Sequence, residues 1–431
     1  MPPGKLLGKR VIINIIAIAI AATALIPLIG LVVEGLGGIT NGSITLGEDG
    51  LKQIKGTTIL VIFTGLIGGL IGTTNGWLLA NCRFPLRKLL RISQLIPLAT
   101  PAYLLAATLI DLASINGIQI YGMTWAIIIM SMTTYPYVFL LSTESFAVTG
   151  RAQLEASRIL GKGPWRSFLK IAMPMAMPAI GAGIALMGME VINELGAVQL
   201  LNVPSISAGI VENWITQNNP SGAIALALIA LLIVMTLVTY ERNLRSRSRR
   251  WNEGLAGGEA PSWELRGLRA LAAQALCILP PAFTLGTPII WAITNSEQLE
   301  KGLDFELALL TFRSVSLGII AAGLSVFAAL LLAIAKRWNP VRWINNITFL
   351  AGIGYAVPGV VLALALLNFS GSPLKLSPVI LLIWGYIVRF LAVSKGGLDA
   401  AFERFSPSLD EAATSLGCNW LGVLRRIHLP L

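Results

Sequence analysis

At 431 residues, 55% hydrophobic and 12% charged, the chain has too little charge to cover a soluble globule, for which about 25% is usual. With a mean hydropathy of +0.75 it reads as an all-α polytopic membrane protein. The net charge of +11 comes in short basic clusters between apolar runs, which is the positive-inside pattern rather than a nucleic-acid face. Cys82, Cys277 and Cys418 lie far apart and His428 is the one histidine, which argues against a disulfide framework, a zinc site or a histidine metal cluster.

In chain order, Lys5, Lys9 and Arg10 precede an apolar run from Val11 to Val33. Ala22-Thr23-Ala24 resembles a signal cleavage site, but the run continues too far beyond it and reads as an uncleaved first span with its basic end cytoplasmic. Residues 34–56, with Glu34, Glu48 and Asp49, read as an external loop. The second span, 57–80, carries Gly65, Gly68, Gly69 and Gly72, a spacing suited to close helix packing. Arg83, Arg87, Lys88 and Arg91 mark a cytoplasmic loop, and the third span, 93–112, is interrupted by Pro97 and Pro101. A fourth span covers 121–142, a fifth 172–192 and a sixth 222–240; the loop 193–220, with Glu194 and Glu212 but no Lys or Arg, is expected outside. The basic, Gly-rich stretch 243–269 reads as a cytoplasmic linker between a first unit, 1–242, and a second, 270–431. Four spans of the second unit fall at 270–293, 311–335, 347–369 and 376–395, with Pro358 in the third, as Pro101 is in the first unit. Ten spans alternate without conflict in loop charge, each about 20 residues long.

Two polar stretches repeat. Glu155-Ala156-Ser157, Gly161 and Ile171-Ala172-Met173-Pro174 match Glu411-Ala412-Ala413, Gly417 and Ile427-His428-Leu429-Pro430 in spacing, 256 residues apart. Both are cytoplasmic by charge, and an even number of spans precedes the second, so the repeat is parallel. The pattern suggests a surface helix, a glycine turn, a second short helix and a proline that opens the next span. One such element alone is as readily an ordinary interfacial helix. Two copies of identical spacing point instead to docking in a groove of another protein, the glutamate pairing with a basic residue there. The first copy is followed by two further spans. The second lies at the end of the sequence, so the expectation is a second unit lacking its C-terminal helices, a twelve-span plan cut short, and a 431-residue form with one complete six-helix lever.

At these residues the chain resembles the permeases of binding-protein-dependent ABC importers, whose coupling loop reads Glu-Ala-Ala, three residues, Gly, nine residues, Ile-x-Leu-Pro; Ser157 and Met173 depart mildly. The resemblance implies two tandem MetI-like units in parallel repeat, the second apparently truncated. It also implies a coupling site made of Glu155, Ala156, Ser157, Gly161, Ile171, Pro174, Glu411, Ala412, Ala413, Gly417, Ile427 and Pro430. The implied partners are two copies of a cytoplasmic ATPase subunit, an extracytoplasmic substrate-binding protein and membrane lipid. The implied setting is a bacterial inner membrane. ATP would sit on the partner, because Gly161-Lys162 fails the phosphate-loop pattern: Ala156 stands five residues before Gly161 and Gly163 follows the lysine. No cofactor, catalytic residue or metal site is expected of this chain.

Fused permeases of the iron(III) branch look most similar. The resemblance rests on Pro101 in Leu98-Ala99-Thr100-Pro101-Ala102-Tyr103, Pro358-Gly359 after Tyr355, Gly385-Tyr386-Ile387-Val388-Arg389-Phe390, and Met189-Glu190-Val191-Ile192-Asn193-Glu194-Leu195-Gly196. In the last stretch Asn193, Glu194 and Leu195 replace Ala, Asp and Phe. Permeases for thiamine, phosphonate or polyamine share much of this pattern. Pro101, Pro358, Glu190, Glu194 and Arg389 are candidates for the translocation path. The other reading places Glu190 at the external interface, hydrated or paired, and Arg389 at the cytoplasmic one. An ion-coupled secondary transporter, or a non-transporting scaffold, is the alternative of another class; the first gives the repeated motif no role, and vesicle transport assays separate the second.

Overall fold

The computed structural model describes residues 3–47, 49–148, 151–252, 262–297, 302, 304–339, 341–370, 376–403, 409, 412–413, 415–418, 420–423 and 425. Among them, seven helices are long and apolar enough to cross a membrane: Ile13–Thr40, Gly50–Asn81, Pro164–Asn193, Pro220–Arg247, Leu268–Thr294, Phe305–Trp338 and Pro378–Asp399. Three bent pairs pass the same test, Arg87–Ala99 with Ala102–Ser114 (89°), Met123–Thr134 with Pro136–Ala147 (43°) and Arg342–Tyr355 with Gly359–Ser370 (107°). Each pair taken as one span gives ten, at the expected places.

The elements are α1 (Pro3–Thr40), α2 (Gly50–Asn81), β1 (Cys82–Arg83), α3 (Arg87–Ser93), α4 (Ile96–Ala99), α5 (Ala102–Ser114), α6 (Met123–Thr134), α7 (Pro136–Val148), α8 (Arg151–Ile159) and α9 (Pro164–Ser167). They continue with α10 (Met173–Asn193), α11 (Gly196–Leu200), α12 (Ile206–Val211), α13 (Pro220–Asn252), β2 (Trp263–Glu264) and α14 (Leu268–Thr294). The last are α15 (Phe305–Trp338), α16 (Arg342–Ala351), α17 (Gly359–Ser370), α18 (Pro378–Glu403) and α19 (Trp420–Val423). Several sequence boundaries change. The loop expected at 34–56 is shorter, because α1 runs to Thr40 and α2 starts at Gly50. Helix α13 passes Tyr240 and carries the arginines of the expected linker to Asn252, since nothing there breaks a helix. Pro174 does not open the fifth span: α9, a π-helical turn at Phe168–Ala172 and α10 form one run from Pro164. The Met173 N–H bonds Phe168 O, and this wide turn admits Pro174 in the first turn of α10, where a missing N–H costs little.

The chain folds as two compact units, Gly35–Asp304 and Met1–Glu34 with Phe305–Leu431. These do not follow the repeat. The first helix of each sequence half, α1 or α14, belongs to the unit built mainly from the other half.

In the unit 35–304, α7 is gripped between α2 and α10 by glycines. A Cβ on Gly72 would lie 2.8 Å from Tyr135 O, and one on Gly183 2.7 Å from Val138 Cα. The glycine row of α2 is thus a packing surface, which lipid-buried helices use because burial of apolar surface does not drive them together. Helix α14 lies on α3, α4, α5 and α6, and β2 pairs in parallel with β1. In the other unit α15 packs along α18, and a core of Ile13, Ala17, Ala21, Ala329, Leu332, Ile344 and Leu391 joins α1 to α15, α16 and α18.

Candidate functional site

Helix α8 is strongly two-faced. Leu154 is fully buried and Ser157 is buried, while Glu155, Ala156 and Arg158 are exposed. It ends at Gly161 with φ 69°, in the left-handed region that favours glycine. Gly161 N–H bonds Arg158 O at 2.9 Å and Lys162 N–H bonds Ser157 O at 3.0 Å. The second of these is the long bond of a Schellman cap. The second copy repeats it: Gly417 has φ 84°, Leu416 N–H bonds Ala412 O at 3.0 Å and Cys418 N–H bonds Ala413 O at 3.0 Å. Ala413 is buried, as Ser157 is, and Ala412 is exposed, as Ala156 is. Glu411, Ile427 and Pro430 lie outside the described residues.

Ser157 and Ser167 share a buried hydroxyl contact of 2.7 Å, which ties α8 to α9 across the glycine turn. Ile171 is half-buried and Pro174 exposed. Beneath the segment lies an aromatic cluster. The Trp77 ring stands 5.6 Å from Phe146, 5.4 Å from Phe168 and 5.5 Å from Trp263, all within the range of favourable ring pairs. Leu154, Ala172 and Ala176 belong to the same core. A push on α8 therefore reaches α2, α7 and α10 through close-packed side chains, which deform little.

Sequence reasoning missed the apolar residues this segment presents outward. Leu160 is 74% exposed and Leu416 is 85% exposed. Each directly precedes the left-handed glycine of its copy, and that recurrence was the available signal. Ile159, Trp165 and Leu169 add to the patch of the first copy.

The path candidates fall into two groups, one in each unit. Pro101 sits at the 89° bend between α4 and α5 with an extended ψ of 135°. Helix α5 packs against α11, where a Cβ on Gly196 would lie 2.7 Å from Tyr103 Cβ. Glu194 is half-buried and its Oε1 accepts the Ala197 N–H at 2.9 Å, so it caps α11. Glu190 is half-buried one turn earlier on α10. In the other unit Pro358 is buried at the 107° bend, and a Cβ on Gly359 would meet Arg389 Nη1 at 2.5 Å, so the guanidinium lies on that bend. Near the 193–220 segment, Asp49, Gln53, Asn202, Ser205 and Glu212 line a cavity of about 460 Å³, with Gln53 Nε2 donating to Glu212 Oε2 at 3.2 Å. Among the described residues no group of three metal-ligating side chains is assembled.

The long apolar helices and the two-faced α8 between them define a many-span helical membrane protein with an amphipathic segment between its spans. Residues 72–249, from the middle of α2 to the end of α13, match the family described as binding-protein-dependent transport system inner membrane component. Residues 72–249 thus carry a permease domain of that family. The chain is 26% identical over 415 residues to the Fe(3+)-transport system permease protein FbpB 2 of Haemophilus influenzae, covering 91% of this chain and 78% of that one. It is 31% identical over 157 residues to the sulfate transport system permease protein CysT of Escherichia coli, covering 33% of this chain and 56% of the relative. The molybdate/tungstate transport system permease protein WtpB of Thermococcus kodakarensis is 26% identical over 152 residues, 35% of this chain and 60% of the relative. These relatives are transport permeases, not enzymes.

Proposed function

We propose that the chain forms the membrane path of an ATP-driven iron(III) importer, with ATP hydrolysis on a separate subunit and substrate delivered by an external binding protein. The observation that carries the coupling is the pair of Schellman-capped segments, each presenting a leucine before its glycine. Leu160 and Leu416 enter apolar grooves of the ATPase subunit, one copy on each segment, and Glu155 and Glu411 pair with basic residues at the rim. Closure of the ATPase pair on ATP draws both segments together. In the first copy Leu154 and the aromatic cluster under Trp77 hand that displacement to α2, α7 and α10. ATP favours one of two arrangements of the helices, and the membrane path opens to the two sides in turn.

The N-terminus lies in the cytoplasm in this reading. The cavity lined by Asp49, Gln53 and Glu212 then faces outward, where the binding protein docks. Iron(III) is favoured because the resemblance to the ferric permease extends over 91% of the chain, against 33% and 35% for the sulfate and molybdate/tungstate permeases. The half-buried acids Glu190 and Glu194 also suit a cation better than an oxyanion. Thiamine, phosphonate and polyamine remain outcomes of the test, as do the oxyanions. Vesicles holding the permease, its ATPase and its binding protein are given each radiolabelled substrate with internal ATP. Uptake of iron(III) in preference to the others supports the reading; preference for any other substrate overturns the choice of iron.

A further inference from the structure

A proline inside a helix leaves the carbonyl four residues earlier without its donor, and in hydrocarbon such a carbonyl needs another partner. The two first helices of the sequence halves both carry internal prolines, Pro27 on α1 and Pro280, Pro281 and Pro288 on α14. Pro280 frees Leu276 O, Pro281 frees Cys277 O, and Pro27 frees Thr23 O. Three side chains of the host units meet these three carbonyls. Asn75 Nδ2 donates to Leu276 O at 3.3 Å, Gln94 Nε2 to Cys277 O at 2.7 Å and Trp384 Nε1 to Thr23 O at 2.8 Å.

The donors on α14 are held rigidly. Gln94 Oε1 accepts from Asn75 Nδ2 at 2.8 Å and from Tyr135 OH at 3.0 Å, and Gln94 Nε2 also donates to Leu90 O at 3.2 Å. Both positions on each atom of the Gln94 amide are used, so it cannot rotate without losing bonds. Asn75, Gln94 and Tyr135 are at most 1% exposed. Counted forward by the repeat offset of 256, Asn75 and Tyr135 correspond to Leu331 and Leu391. The polar cluster therefore belongs to the unit that hosts the double proline and is not a feature of the repeat. In the other unit Trp384 is steadied edge-on against Phe369 at 5.6 Å, and Asn368 donates to Glu34 near the outer part of α1.

We propose that each exchanged first helix is keyed into its host unit through the carbonyls its own prolines release: α14 by Asn75 and Gln94, α1 by Trp384. Apolar packing in lipid leaves a helix free to slide or turn at little cost. A bond to one particular freed carbonyl fixes both depth and rotation. Asn75, Gln94 and Trp384 are therefore positioning residues. Each unit carries a helix from the other sequence half, so the keys keep that helix in step when its host moves. The inference rests on the proposed transport only for its last readout.

The test is a set of double substitutions in the full chain, in lipid nanodiscs. Gln94→Leu removes a donor, and Pro281→Ala restores the helical N–H to Cys277 O. Cysteine is labelled at its carbonyl carbon with 13C, so that three carbonyls report in the infrared. In Gln94→Leu one band moves to higher frequency and the folded protein is about tenfold less resistant to protease between α14 and its neighbours, as an unsatisfied buried acceptor implies. Adding Pro281→Ala returns both the band and the resistance, whereas Pro288→Ala, an equal gain in helix propensity, returns neither. If Gln94→Leu does not fold, the other unit carries the test. Trp384→Phe keeps the ring and deletes the N–H, and Pro27→Ala is its specific rescue. In the complete importer the two unrescued variants lower uptake per ATP hydrolysed. Rescue by Pro288→Ala as good as by Pro281→Ala, or no band shift in Gln94→Leu, overturns the keying. Normal keying with no substrate uptake by the wild type refutes the proposed transport instead.

Discussion

Replacing Leu160 by alanine should weaken the ATPase subunit's grip on the permease and leave the permease itself intact. Leu160 is 74% exposed in the free chain, so its truncation removes little from the fold. Burying a whole leucine side chain is worth about 1.5–3 kcal/mol, and about three quarters of that is still to be gained on docking. The loss is therefore roughly 1–2 kcal/mol, or about 5–30-fold in affinity for that site. Leu416, at 85% exposure, predicts the same or slightly more in the second copy. The assay is equilibrium binding of the purified ATPase subunit to the permease in nanodiscs, with thermal unfolding measured in parallel. Leu160→Ala should shift the binding curve and leave the unfolding temperature within error. A drop in the unfolding temperature with binding unchanged would refute this, because Leu160 would then serve the fold rather than the interface.

Gly161→Ala forces a left-handed φ of 69° on a residue with a Cβ, at a cost of about 1–2 kcal/mol in the Schellman turn; limited proteolysis between α8 and α9 should become faster, and Gly417→Ala should do the same in the second copy. Gly72→Ala brings a Cβ within 2.8 Å of Tyr135 O. Helices α2 and α7 must then separate, and detergent thermal unfolding should fall by more than for an exposed alanine substitution on the same helix. Burial raises the Cys82 thiol from the ordinary 9.0 to about 12, with the nearby Arg87 opposing weakly. The thiolate is the reactive form and a raised value means less of it at any pH below 12, so maleimide at pH 8 should label the partly exposed Cys418 and spare Cys82 until the protein unfolds.

The sequence made the spans and their breaks readable for a simple reason. Hydrocarbon leaves a helix of about 20 apolar residues as the solution, and Pro101 and Pro358 break such helices wherever they fall. The glycines of the repeated segment were equally readable, since Gly161 and Gly417 sit where an ordinary residue resists the turn. What the sequence hid concerns partners. In lipid every apolar face looks alike, so nothing in the pattern of α1 or α14 says that each joins the unit of the other half. Asn75, Gln94 and Tyr135 are scattered along the chain and meet only after folding, so their link to Pro280 and Pro281 could not be read from spacing. The fifth span was placed too late because Pro174 looks like a start, whereas the π-helical turn before it lets the helix pass through. Leu160 and Leu416 were overlooked because a leucine in an apolar chain attracts no notice until its exposure is known.

The proposed coupling is measured most directly as iron(III) uptake into vesicles carrying the complete importer, for wild type and for the double variant Glu155→Ala with Glu411→Ala. Uptake should need ATP, ignore collapse of the proton gradient and fall sharply in the double variant. Uptake that follows the proton gradient after ATP is exhausted, or that the double variant leaves unchanged, would contradict it.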